Sequence, residues 1–515
     1  MTEVASISTA RSITLPGLVA GRALEQGARL AIADGVMRIS HADLHRRTDK
    51  LAAALAARGI GRGDRVALLL LDGIAGIELL IACGKIGAIT LPINWRLAPA
   101  EIRFILEAAE PRMLFRSDCF ADLTGEDAGV PVFALPDQAA VDSDYEKLIA
   151  EADAAVLPVV AGHDPLFMLF TSGTTGRPKS CLQSHEGAVA LGTAFALRLA
   201  LTPADRLLCT SPLFHVGGLG HVFAALAAGG GIVIVPRGAS HEQILRLMSD
   251  EGCSFGSMND ALLLGLCDLQ DRLRLPLKLR SVTRGASMTP ASQIHRIRDS
   301  LGACAIGGYG QTESLGFVLM LDGDAMRDHP TALGWPLAHV EAAVLDDAGR
   351  PVVGESVGEL GLRSPSVMLG YWRDEDASRE AMGTGWLRTG DLVQRDAEGR
   401  FHFEGRSKEL VKTGGENVYP REVEQVLLTH PAIADVAIVG VPDDRWGEAV
   451  KACIVVAPDG TLAAADAVAW CRQHIAGYKR PRYVEFIDRI PRDHLGKIQR
   501  PLLRQRAVTA DQKVD

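Results

Sequence analysis

The residues best suited to chemistry lie close together in Thr171-Ser172-Gly173-Thr174-Thr175-Gly176-Arg177-Pro178-Lys179. Hydroxyls, glycines that let a ligand approach the backbone, and two cations within nine residues make a cradle for a polyphosphate. An uncharged Ser/Thr/Gly stretch would read as an ordinary turn. Here the stretch follows the apolar run 166–170 and carries Arg177 and Lys179, which favours a nucleotide. A Walker-type loop would need a glycine where Pro178 stands. Proline has no N–H to donate and a locked φ, so the P-loop kinase reading fails.

Five more stretches combine glycine with charged, hydroxyl or imidazole side chains. They are Pro212-Leu213-Phe214-His215-Val216-Gly217-Gly218, Gly308-Tyr309-Gly310-Gln311-Thr312-Glu313, Gly385-Trp386-Leu387-Arg388-Thr389-Gly390-Asp391, Gly405-Arg406-Ser407-Lys408-Glu409 with Lys412-Thr413-Gly414-Gly415-Glu416-Asn417, and Gly496-Lys497-Ile498-Gln499-Arg500. Taken singly, His215 reads as a core histidine, Tyr309 as core, Glu313 as a surface acid and Asp391 as a turn aspartate. Lys497 sits where nine basic residues face three acidic ones between 479 and 506, a pattern that suits a solvated face or a phosphate site. In this order, and over essentially the whole chain, the six stretches resemble the adenylate-forming superfamily. That family includes acyl-CoA synthetases, firefly luciferase and peptide-synthetase adenylation domains, and the likeness is to the acyl-CoA synthetase branch.

The resemblance implies an ATP-dependent acid–thiol ligase. It would convert a carboxylic acid, medium-chain fatty or aryl, to acyl-AMP with release of pyrophosphate, and then pass the acyl group to CoA. Two anions must meet in the first step, so cations, oriented donors and Mg²⁺ are expected. By resemblance, Thr171, Ser172, Gly173, Thr174, Thr175, Gly176 and Lys179 hold the terminal phosphates, and Glu313 with Thr174 holds Mg²⁺. Tyr309 stacks on adenine, with Gly285, Ala286 and Ser287 opposite and Gly308, Gly310 and Gln311 beside it. Thr312 meets the α-phosphate, Asp391 the ribose hydroxyls, and Arg406 the ribose or a phosphate, with Lys412 also on the nucleotide. Lys497 is the adenylation lysine, and His215 orients the acid and gates its tunnel. His215, Gly217, Gly218, Met258, Ala286, Ser314, Gly316 and Phe317 border the acyl pocket. Gly414, Gly415 and Glu416 approach CoA, and Lys408 is the hinge.

The chain departs from the family pattern in three places. Arg284-Gly285-Ala286-Ser287-Met288 stands where Gly-Gly-Ala-Pro-Leu is usual; Arg284 reads either as a receptor for a second carboxylate or as half of a structural ion pair. Arg492-Asp493-His494-Leu495-Gly496-Lys497 replaces the usual Thr-x-Ser-Gly-Lys, and Ser180 replaces a common glycine. Within the family, the competing activity is loading of a carrier-protein thiol, with a luciferase-type oxygenase behind it. Outside it, the competing reading is a non-catalytic acyl-nucleotide-binding protein.

The elements that must carry these residues are legible as an α/β pattern. Ser40-His41-Ala42-Asp43 resembles a capping box, followed by Leu44, Thr48, Leu51 and Leu55 at helical spacing, with Gly59 able to close the helix. Apolar runs at 65–71 and 166–170 read as buried parallel strands, 184–199 as a helix, and 206–210 and 232–235 as strands. Beyond about residue 340 short strands and turns predict a β-rich subdomain. The predicted division is 1–404 for a large N-terminal part and 405–515 for a small mobile α+β lid. The 515 residues carry a formal charge of −9, which excludes a general nucleic-acid binder. Nine cysteines without a CxxC pair fit neither a disulfide framework nor a zinc site and predict a reducing, cytoplasmic setting. No signal peptide or membrane span is expected, and a homodimer is compatible with the sequence.

Overall fold

The computed structural model describes residues 13–515 apart from 125–127, 138–139, 141, 154–155, 172–177, 286–290, 330, 407–408, 414–415, 444, 459, 493–497, 507, 510–511 and 515. Two large sheets account for the first four-fifths of the chain. A seven-stranded sheet runs in the order Gly370–Tyr371, Lys179–Ser184, Pro165–Thr171, Ile89–Pro92, Arg65–Leu69, Met113–Ser117, Val132–Leu135. The last five are parallel, as their continuous apolar sequences require when both faces are covered. Lys179–Ser184 returns antiparallel, with Lys179 paired to Thr171, so the two ends of the phosphate-type stretch are held together.

The second sheet has fourteen strands. Its parallel half contains Leu30–Ala33, Gly231–Ile234, Arg206–Cys209, Phe255–Ser257, Ser281–Arg284 and Cys304–Gln311. From Gly316–Asp322 onward the pairing becomes antiparallel and continues through Ala332–Pro336, Phe401–Arg406, Leu387–Arg395, Ser356–Arg363 and Glu341–Leu345. The β-rich region expected after residue 340 is therefore an extension of one sheet. Within the antiparallel half Gly334 has φ +96, and a Cβ there would fall 2.0 Å from the Met320 carbonyl oxygen, so only glycine lets Ala332–Pro336 lie against Gly316–Asp322.

Between the two sheets lie helices Ile74–Ile86, His185–Arg198 and Val216–Ala228, whose apolar side chains share one core with Phe167, Leu207 and Ile232 of the sheets. Val216–Ala228 is apolar on nearly every side because it is enclosed on every side. The helix His41–Ala57 begins at a capping box in which Ser40 and Asp43 satisfy each other's backbone N–H groups. Beyond Arg406 a five-stranded sheet forms around Gly447–Val456 and Ile433–Asp443, with helices Pro420–Leu428, Ala464–His474 and Arg500–Arg504 and separate apolar cores. All nine cysteines are free thiols, seven of them buried. Among the described residues no helix is long and apolar enough to cross a membrane.

Candidate active site

Asp391 and Arg406 face each other directly on adjacent antiparallel strands, Leu387–Arg395 and Phe401–Arg406. The register brings Arg406 Nε to 2.9 Å from Asp391 Oδ1, and the carboxylate is only 2% exposed. Its other oxygen accepts the Tyr309 hydroxyl at 2.6 Å, an ionic hydrogen bond of the short, strong kind. Tyr309 comes from the strand Cys304–Gln311, at a register shift beside Gly310; such a bulge re-aims side chains. Burial, followed by the Asp391 charge, lifts the Tyr309 phenol well above its ordinary range and keeps it a donor. Glu359 braces the turn before Asp391 by accepting Gly390 N–H at 2.8 Å and Arg388 Nε at 2.8 Å. Three segments spread over about one hundred residues thus converge on one carboxylate.

The strand carrying Tyr309 turns at Thr312–Ser314 into Gly316–Asp322. A Cβ on Gly310 would lie 1.6 Å from the Gly316 carbonyl oxygen, so the two strands touch backbone to backbone. Gln311 and Ser314 hold the turn, the Gln311 N–H donating to Ser314 Oγ at 3.0 Å, so Ser314 serves the backbone and is fully buried. The turn is also tied to the seven-stranded sheet: Gln183 Nε2 donates to the Thr312 carbonyl and Met368 N–H to the Glu313 carbonyl, both at 2.8 Å. Glu313 Oε1 accepts the Tyr371 hydroxyl at 2.9 Å, and Lys179 Nζ stands 4.9 Å from the centroid of the Tyr371 ring. The last cation of the phosphate-type stretch and the acid of the Gln311-Thr312-Glu313 motif are therefore neighbours of one tyrosine.

His215 caps helix Val216–Ala228, its Nδ1 accepting the Gly217 N–H at 3.0 Å. A backbone donor on Nδ1 leaves the ring proton on Nε2, which makes that nitrogen a donor. Asp72 pins the same loop from the other sheet by accepting Leu213 N–H at 2.8 Å. Burial outweighs that hydrogen bond and nearby Arg96, raising Asp72 to about 6. Gly218 is required, since a Cβ would sit 2.3 Å from the Pro212 carbonyl oxygen. Phe317 lies flat against the Gly285 and Gly308 backbones; Cβ atoms there would come within 2.5 and 2.6 Å of its ring. Met258 is buried in the core on the far side of that sheet. Arg284 is also buried and donates to Gln293 Oε1 at 3.0 Å.

Ser172, Gly173, Thr174, Thr175, Gly176, Ala286, Ser287, Lys408, Gly414, Gly415 and Lys497 lie outside the described residues. Lys412 and Glu416 stand exposed on the first strands of the five-stranded sheet. The flanks of Lys497 are tightly held. Arg492 pairs with Asp435 at 2.9 Å and bridges to Ile498, while Arg500 reaches Glu424 at 2.6 Å and Glu409 at 3.1 Å. Among the described residues there is no cluster of three His, Cys, Asp or Glu side chains fit to hold a metal alone. Mg²⁺ does not need one, since it is commonly held by one or two carboxylates with substrate phosphates and water, and the half-buried Glu313 beside Lys179 fits that donor set. Sequence reasoning missed Tyr371, Gln183, Asp72, Glu359 and the Arg500 fork. Each looks locally like an ordinary strand, turn or surface residue, and only the pairing of distant segments reveals it.

A large layered α/β region joined to a small α+β region, with charged side chains gathered at the strand ends, is the build of the adenylate-forming enzymes. The chain belongs to the AMP-binding enzyme family of acid–thiol ligases: the family's sequence profile matches residues 20–372, and that of the AMP-binding enzyme C-terminal domain matches 422–497. It is 34% identical over 490 residues to an indoleacetate–CoA ligase of Aromatoleum aromaticum, covering 91% of this chain and 93% of that one. A long-chain-fatty-acid–CoA ligase of Mycobacterium tuberculosis is 32% identical over 475 residues, with the same coverages of 91% and 93%. Among solved structures, ATP-bound MatB of Rhodopseudomonas palustris superposes with a TM-score of 0.84 at 27% identity, over 95% of this chain and 98% of that one. The o-succinylbenzoate CoA synthetase of Bacillus subtilis, in complex with its acyl-adenylate intermediate, gives 0.81 at 27% identity with the same coverages of 95% and 98%.

Proposed function

We propose that this protein activates a medium-chain fatty or aryl carboxylic acid with ATP, forming acyl-AMP and pyrophosphate, and then transfers the acyl group to CoA. The observation that carries the reading is the convergence of Tyr309, Asp391 and Arg406 at 2.6 and 2.9 Å. An ionised carboxylate accepts both hydroxyls of a ribose, the tyrosine offers an aromatic face for adenine, and the guanidinium neutralises a phosphate. Lys179 with Thr171 serves the terminal phosphates, and Glu313 with Thr174 holds Mg²⁺. When bound, that ion neutralises phosphate charge.

The acid enters beside His215, whose Nε2–H donates to the incoming carboxylate and turns it toward the α-phosphate. Phe317, lying on Gly285 and Gly308, closes the far end and limits the depth of the acid's pocket. Lys497 places an ammonium between the two anions. At ~4 Å and an effective dielectric near 20, one such charge is worth roughly 4 kcal/mol, on the order of a thousandfold in rate. The CoA thiol must then reach the same carbonyl, so residues 405–515 act as a lid that swings about Lys408 and exchanges Lys497 for Gly414, Gly415 and Glu416.

The test is a panel of fatty and aryl acids incubated with ATP and Mg²⁺, scored for pyrophosphate release and for AMP with and without CoA. Acid-dependent pyrophosphate release, and CoA-dependent multiple turnover, are expected. Absence of acid-dependent AMP across the panel, or formation of ADP instead, would overturn the proposal.

A further inference from the structure

Tyr371 lies on the two-residue strand Gly370–Tyr371 at the edge of the seven-stranded sheet, paired with Cys181. Its hydroxyl donates to Glu313 Oε1 at 2.9 Å, although Glu313 is delivered by the other sheet. Lys179 Nζ sits 4.9 Å from the centroid of its ring. One side chain thus touches both the carboxylate read here as the cation ligand and the ammonium read as a phosphate ligand. Its own backbone is fixed on both sides. Tyr371 N–H donates to Ser378 Oγ at 2.9 Å, and the next residue, Trp372, donates its N–H to the Ser180 carbonyl at 2.8 Å.

A phenol suits this place for a chemical reason. A carboxylate that must offer one oxygen to a cation is best oriented by a neutral donor on the other, because a cationic donor would repel the ion. The electron-rich ring face attracts an ammonium without neutralising it.

We infer that Tyr371 is a positioning residue for the metal–triphosphate end of the site: its hydroxyl holds the Glu313 carboxylate toward the cation, and its ring seats Lys179 against the phosphates. This rests on the roles proposed above for Glu313 and Lys179. The test is calorimetric titration with ATP, in Mg²⁺ and in EDTA, without any acid, so that binding is read apart from turnover. Tyr371→Phe should lose about tenfold in ATP affinity with Mg²⁺, as removal of a donor to a charged group does, and less than about twofold in EDTA. Tyr371→Leu, which also removes the ring face, should lose a further few-fold in both conditions. If Glu313→Gln loses the Mg²⁺ enhancement while Tyr371→Phe keeps it, the inference is overturned and the reading of Glu313 stands. If Glu313→Gln keeps the enhancement, the reading of Glu313 fails and the inference falls with it. Should Tyr371→Phe melt well below the parent, the double variant decides. An Mg²⁺ enhancement no smaller than that of Glu313→Gln alone supports positioning, and a further independent loss overturns it.

Discussion

Both the N-terminal sheets and the C-terminal sheet carry arginine–carboxylate networks, yet the networks hold different things. In the N-terminal part Arg47 forks onto Glu78, which is fully buried, and onto Glu146, while Tyr145 donates to Glu78 at 3.0 Å. That cluster ties helices His41–Ala57, Ile74–Ile86 and Asp144–Ala150 together, and none of its members belongs to the proposed site. In the C-terminal part Arg492 and Arg500 bind Asp435 and Glu424 on either side of the segment that carries Lys497, and Arg500 also holds Glu409, next to the proposed hinge. The contrast teaches that ion pairs of similar geometry brace a fold in one region and, on the function proposed above, flank a reactive group in the other.

The largest expected effect comes from the flanked group. Lys497→Ala should cut acyl-AMP formation about a thousandfold, in line with roughly 4 kcal/mol for one ammonium, and should slow thioester formation from supplied acyl-AMP far less. Equal losses in both half-reactions would reject the assignment. Arg47→Met should lower the unfolding free energy by about 3 kcal/mol because it strands a buried Glu78, while the adenylation rate per folded molecule stays within about twofold. A rate loss matching that of a C-terminal variant would erase the distinction drawn between the regions. Arg500→Met is the complementary probe: adenylation is expected to fall about tenfold, thioester formation by less than about threefold, and Arg500→Lys to recover part of the loss.

Acid should separate the two regions as well. His185 and His221, both buried in the N-terminal part, are held down to about 4 by burial. Their unfolded forms titrate near 6.5, so between about 6.5 and 4 only the unfolded chain takes up these protons. Stability is therefore complete above that window and falls as the pH drops through it, by on the order of 3 kcal/mol for each imidazole. Hydrogen exchange at pH 5 against pH 7 should show the N-terminal sheets losing protection first; earlier loss in the C-terminal sheet would contradict this. The last effect has the opposite sign. Asp72, raised by burial to about 6, destabilises the fold once ionised. Asp72→Asn keeps an acceptor for Leu213 N–H, and should gain up to about 3 kcal/mol at pH 7, with the gain vanishing below about pH 4 in a melting series.

Much of this molecule was legible as sequence, but unevenly. The capping box at Ser40, the buried strand at 166–170 and the helix at 184–199 follow from local chemistry and periodicity, and appear as Ser40–Asp43, Pro165–Thr171 and His185–Arg198. Tyr309, Asp391 and Arg406 were selected by motif and are gathered by the antiparallel register. Tyr371 and Asp72 were not legible. Their hydrogen bonds reach residues 58 and 141 positions away, and periodicity tells which face a residue occupies, never which distant residue it meets. Arg284 shows the same limit. Both readings of it were sound from composition, and its burial and its bond to Gln293 become visible only once strand and helix are packed.

The backbone contact between Gly310 and Gly316 leaves no room for even one methyl group, so the spacing of those two strands is fixed. On the function proposed above, descendants of this sequence that take up a bulkier acid would have to find the space elsewhere, at Phe317 or along the loop before helix Val216–Ala228. Evolution of substrate range is thereby channelled to a few replaceable side chains, while the nucleotide side of the cleft stays as it is.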